Sequence, residues 1–380
     1  MTAGRDGPAR PRASALGRVA GLFRTRAALG LGPAAAPVAL FVPLGALLGP
    51  QLLGLLTVDV LAHLDVAVSV ALATLGVFVG IALGRLTPPS RRILVCASVE
   101  AGTTLLVVTL VTFALAILWQ LPIDAPALAV ALMLGICASV SSVGPETALL
   151  DPTRQVAAHI ADLDDVAPIV IGALVVIALR EPSAWHLARL GLATLLAGAA
   201  VAVAGWLLFE VARGTAERGV YVIGVLVMLG GTAAYLALSP LLMGLVAGTF
   251  WSLAPGHADT IIESDLRKVQ HPLIVLLLLT AGASLKVTPV AIWLLAPFVI
   301  FRVTGKLAGS WLASRYARDL LPADLGTWLI WPGVVGIAFA LNFQQVAPPV
   351  AGEAVLTAAA LGSVAAEVLA LLVMPAAPSR

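Results

Sequence analysis

The chain has 380 residues, of which 60% are hydrophobic and only 11% charged, with a mean hydropathy of +1.04. Soluble domains carry roughly a quarter charged residues, so a water-soluble globular fold is excluded. The apolar runs are long, Leu/Ala/Val-rich and not alternating, which fits membrane-spanning helices and not a β-barrel. A formal charge of +2 with 6% aromatic residues, and no basic patch beyond the first residues, argues against nucleic acid as a partner.

In chain order, residues 1–33 carry Arg5, Arg10, Arg12, Arg18, Arg24 and Arg26 without an apolar core of their own. This is the pattern of a basic cytoplasmic tail rather than a signal peptide, and it suits anionic lipid. From there a window of about 19 residues predicts twelve spans. The first six cover 34–56, 66–84, 93–118, 125–147, 155–179 and 185–213; the last six cover 219–238, 240–255, 271–286, 289–314, 325–344 and 353–375. The segments 240–255 and 271–286 are short for a bilayer that needs about 20 residues. The stretch 256–270 between them reads as an interfacial loop. Of the 22 Lys and Arg, seventeen fall in the tail, in alternate loops from Arg85 to Arg318, or at Arg380. The opposite loops hold only Arg180 and Lys286. By the positive-inside rule both termini face the cytoplasm. No nucleotide-binding module is read outside the spans, so ATP is not expected to drive this protein and no cofactor is implied. Cys96 and Cys137 lie in spans without a metal-type spacing and read as small buried residues.

Ionisable residues inside spans are the strongest functional pointers in such a chain. The third, sixth and twelfth spans carry single acids, Glu100, Glu210 and Glu367, which read as partners of a buried Arg or as helix-end groups rather than as a second ion site. The fourth span is interrupted at Ser141-Ser142-Val143-Gly144-Pro145, and the eleventh at Trp331-Pro332-Gly333. Gly and Pro at membrane depth are tolerated where the freed backbone lines a polar cavity. Paired interruptions in matching positions of two halves mark inverted-repeat transporters, and here spans 3–5 and 10–12 are the matching triplets. The fifth span holds Asp162, Asp164 and Asp165, with His159 one turn earlier. Adjacent carboxylates in a low dielectric resist ionising together, so their titration is coupled. Such a pair takes a proton under one condition and an alkali cation under another. Asp162 stands closer to a helix end. The tenth span supplies Arg302 and Lys306, four residues apart on one helix face. Lys306 is too deep to snorkel easily, and pairing with a buried aspartate removes most of the cost of burying it.

Together these residues resemble the monovalent cation:proton antiporter superfamily, in its branch of bacterial sodium/proton antiporters with paired aspartates. The likeness runs from about residue 36 to 375. It rests on Gly49-Pro50, the interrupted Ser141–Pro145 segment, the Asp164-Asp165 pair and Gly305-Lys306. The resemblance implies an all-α polytopic membrane protein of about twelve transmembrane helices, built as inverted repeats with two broken, crossing helices. It implies a core of 93–179 and 289–375 that moves, elevator-like, against a dimerisation domain of 34–86 and 219–286, with 185–213 as linker. It implies a homodimer in a bacterial inner membrane that exchanges Na+, or K+ or Li+, for protons. By position, Asp165 would bind the cation or proton, and Asp164 would exchange a salt bridge to Lys306 for the cation. Ser141, Ser142, Val143, Gly144, Pro145, Pro332 and Gly333 would line the crossing. Arg302 falls where electroneutral relatives carry an Arg, so this chain holds both cations. It departs from the family at Val143 and Gly144, where Thr and Ser usually stand. It also lacks a paired Phe in 276–283, and in place of the extra first helix of some relatives it has the Arg-rich tail.

Rival readings fit less well. A Na+-coupled symporter of an organic anion needs a polar pocket, and this crossing is poor in Asn, Gln and Thr. An intramembrane aspartyl protease needs two aspartates on different helices, in Tyr-Asp and Gly-x-Gly-Asp settings that are absent here. A transporter, not an enzyme, is expected.

Overall fold

The computed structural model describes residues 38–85, 90–142, 152–180, 183–212, 214–255, 258–317, 321 and 324–373. The regular elements among them are helices. The first seven are α1 (Val38–Leu48), α2 (Val58–Gly84), α3 (Ser90–Leu118), α4 (Ala127–Ser139), α5 (Pro152–Leu163), α6 (Val166–Arg180) and α7 (Ala184–Val211). There follow α8 (Thr215–Tyr235), α9 (Pro240–Leu253), α10 (Ala258–Ala283), α11 (Pro289–Tyr316), α12 (Leu325–Trp328), α13 (Val334–Val346) and α14 (Pro349–Val373). Among the described residues α2, α3, α7, α8, α11 and α14 are long and apolar enough to cross a bilayer, and α1, α4, α9, α13 and Lys268–Ala283 are shorter apolar helices. The predicted spans map onto these elements in order, the fifth divided between α5 and α6 and the eleventh between α12 and α13. The basic tail lies outside the described residues.

One segment corrects the sequence reading. Residues 256–270 were expected as an interfacial loop, but α10 runs from Ala258 through Pro272 to Ala283. Ile262 and Leu266 are spaced one helical turn apart and both fully buried, in a cluster with Phe209 and Trp251. That apolar stripe, backed by an Asp265–Lys268 pair at 2.6 Å on the other face, makes helix of a stretch whose charges disguise it.

Lipid offers no hydrophobic drive for helices to associate, so close backbone contact through small residues takes its place. The tightest contact joins α2 and α9 through Gly76 and Gly80 on one helix and Gly244 and Gly248 on the other. A methyl group on Gly244 would stand 2.0 Å from the Ala73 carbonyl oxygen, and one on Gly76 2.1 Å from that of Leu241. Backbone cannot yield there as a side chain would. Gly244→Ala is therefore expected to lower stability by about 1–3 kcal/mol, read as a fall in the melting temperature of the detergent-purified protein.

Candidate ion site

α4 ends at Ser139, and Val140 is already extended (φ −75°, ψ 134°). On the other side α12 stops at Trp328, and Gly333 (φ −80°, ψ 142°) leads into α13. The two extended pieces pass antiparallel at Ser141 and Pro332. The Ser142 amide donates to the Trp331 carbonyl at 3.0 Å, and its hydroxyl donates to the Pro332 carbonyl at 2.8 Å. A side chain on Gly333 would meet Val140 Cγ1 at 2.3 Å, so the crossing needs a glycine there. Val143, Gly144 and Pro145, expected in the lining, lie outside the described residues.

Breaking a helix leaves its last carbonyls without partners and its negative dipole end bare. The α11 cations meet both needs. Arg302 Nη1 donates to the Ala138 carbonyl and, at 3.4 Å, to that of Cys137. Its Nη2 donates to Val140 at 2.8 Å and to Trp331 at 3.3 Å. One rigid guanidinium thus clasps both chains of the crossing, fully buried. Sequence placed Arg302 as a second cation opposite the acids; its hydrogen bonds go to the main chain.

One turn further, Lys306 Nζ donates to the Ser139 carbonyl and reaches Asp164 Oδ2 at 3.2 Å and Glu100 Oε2 at 3.1 Å. All three side chains are wholly buried. Asp164 Oδ2 also accepts the Ser141 hydroxyl at 2.6 Å. Asp164 and Asp165 form the turn between α5 and α6, with helical spacing kept across it by Asp164 N–H to Ile160 (2.8 Å) and Ile169 N–H to Asp165 (2.9 Å). The Oδ1 atoms of both aspartates are buried without a hydrogen-bond partner. Asp162 and His159 are exposed.

Glu100 is the residue that sequence reasoning did not bring to the site. Its position follows from Gly305 and Gly309, which let α3 lie directly on α11. A methyl on Gly309 would stand 2.7 Å from the Glu100 carbonyl oxygen. The Gly-x-x-x-Gly spacing around Lys306 is the signal that could have found it. Glu367 is instead a helix-end group, accepting the Ala39 amide at 2.8 Å, and Glu210 is exposed.

The buried cluster contains Glu100, Asp164, Asp165, Arg302 and Lys306. Three acids face two bases, so with every group ionised it is one negative charge out of balance. An uncompensated charge in this setting is costly.

No family model and no curated protein matches the chain. Among solved structures it is similar to that of the sodium proton antiporter MjNhaP1 from Methanocaldococcus jannaschii at pH 8, with a TM-score of 0.62 over 94% of each chain. The chain has a sodium/proton antiporter fold. At 15% identity the likeness establishes this all-α membrane architecture, and the chemistry has to be argued from the residues.

Proposed function

We propose that the protein is a secondary antiporter that exchanges a monovalent cation, Na+ foremost, for protons. The observation that carries this reading is the pair of buried, unpartnered oxygens on Asp164 and Asp165, in a cluster that is one positive charge short of neutrality when every group is ionised. A proton or an alkali cation supplies that charge equally well, and each excludes the other. Oxygen ligands suit a hard alkali ion, and Ser141, Ser142 and the main chain of the crossing offer more of them. The fold it shares with a structure named as a sodium proton antiporter supports the same reading.

In this account Asp165 receives the cation or proton, and Asp164 gives up Lys306 to join it. The core, 93–179 and 289–375, carries the loaded site across by sliding against 34–86 and 219–286, with 185–213 as the linker, in a homodimer. The paired aspartates with Lys306 favour the electrogenic branch. One net charge moved across 100 mV is worth about 2.3 kcal/mol, which lets the membrane potential drive cation export. Both termini face the cytoplasm of a bacterial inner membrane, following the distribution of Lys and Arg.

The test is purified protein in proteoliposomes loaded with a pH-sensitive dye and given Na+, Li+ or K+ across a range of pH. The reading requires a proton flux set off by at least one of these ions and absent from empty vesicles. Silence with all three would end it. A smaller effect is expected from Ser141→Ala, which removes the 2.6 Å bond to Asp164. One hydrogen bond to a charged group is worth about 1.5–3 kcal/mol, so the KM for the cation should change by roughly tenfold or more with folding intact.

A further inference from the structure

Lys306 is held by two carboxylates, and only one of them belongs to the aspartate pair. We propose, resting on the exchange reading above, that Glu100 is the positioning residue of the site, the fixed anchor that keeps Lys306 when a transported cation takes Asp164 from it.

The geometry fits an anchor rather than a second carrier. Glu100 has both oxygens engaged: Oε1 accepts the Thr104 hydroxyl at 3.3 Å, and Oε2 accepts Lys306 at 3.1 Å. Its main chain is pinned against Gly309 of α11, the helix that carries Lys306. Asp164, by contrast, has one oxygen unengaged and stands in the turn between two helices. When a cation binds Asp164, the ammonium must let go of it. With Glu100 and the Ser139 carbonyl still in place, Lys306 loses one partner and keeps its compensating charge. Without Glu100 the cation would have to strip Lys306 of its last carboxylate, leaving a buried charge unpaired, and binding would suffer accordingly.

The other charged groups around this pair do not replace Glu100. From α11, Arg302 is committed to carbonyls of the crossing. From the α5–α6 turn come Asp164 and Asp165, which are the proposed transport groups. Asp162 and His159 on the same element are exposed. α4 contributes Cys137, a buried thiol.

Two experiments decide it. In proteoliposomes, the near-isosteric Glu100→Gln is expected to raise the KM for the cation by roughly tenfold or more, the weight of one lost charge-assisted contact, with the maximal rate within about twofold of wild type. Adding Lys306→Gln to it removes the competitor for Asp164 and should bring the KM back down. A KM left unchanged by Glu100→Gln, a fall in maximal rate alone, or no recovery in the double variant overturns the proposal. The second experiment does not depend on transport. Melting temperatures of Glu100→Gln, Asp164→Asn and the double variant should be non-additive, because either single change leaves Lys306 one carboxylate and the double leaves none. Additive shifts overturn the anchor role even if wild-type protein carries no cation, the result that defeats the exchange reading itself.

Discussion

Asp165→Asn is expected to reduce cation-driven proton flux to the level of empty vesicles while leaving the protein at least as thermally stable as wild type. The two halves of that result have one cause. Asp165 is buried, one of its oxygens has no hydrogen-bond partner, and among the described residues no ion pair to it is formed. Burying an acid in that condition is unfavourable, so nothing in the fold is gained by having it. An amide of the same shape removes the unbalanced charge and relieves the cluster. It also removes the group for which proton and cation compete. A residue that weakens the fold yet is indispensable to flux is a working residue. The exposed Asp162 serves as the contrast, and Asp162→Asn should retain flux. Flux and melting temperature measured on the same preparations check both halves.

Arg302→Ala should do the opposite, collapsing stability first. Four main-chain carbonyls from two chain segments converge on this guanidinium: Cys137, Ala138, Val140 and Trp331. Truncation strips this donor from all four, although Trp331 keeps the Ser142 amide, and uncovers the negative end of α4. Each orphaned group costs about 1–3 kcal/mol, and breaking a buried charged network about 3–5 kcal/mol. A large drop in melting temperature and in the yield of folded protein is expected, greater than for Lys306→Gln. Arg302→Lys should not rescue it, because a single ammonium cannot span both chains of the crossing as the planar fork does. A stable Arg302→Ala variant defective only in transport would show that the arginine belongs to the ion chemistry instead.

What could be read from the sequence follows from what is expensive in a membrane. Apolar runs gave the spans. The interruptions at Ser141 and Pro332 stood out because polar backbone at that depth needs a reason, and the two do meet. Asp164 and Lys306 stood out for the same reason and lie 3.2 Å apart. Glu100 was hidden because a lone acid on a helix carries no local mark of its partner; only the contact between α3 and α11 through Gly305 and Gly309 reveals it. The role of Arg302 was hidden because the carbonyls it serves are orphaned by tertiary structure, on segments far from it in sequence. The helix through 258–271 was hidden by its charges, which mask the pairing of Ile262 with Leu266.

The competition itself can be watched without transport. Detergent-purified protein in weakly buffered, cation-free solution would be titrated with NaCl, LiCl or KCl, with choline chloride as the control, and released protons read with a pH indicator. The account predicts that an alkali cation expels protons from the wild type with saturating dependence, and that Asp164→Asn/Asp165→Asn, folded by its melting curve, releases none. Equal release from both proteins, or cation binding to the wild type without any release, would contradict it.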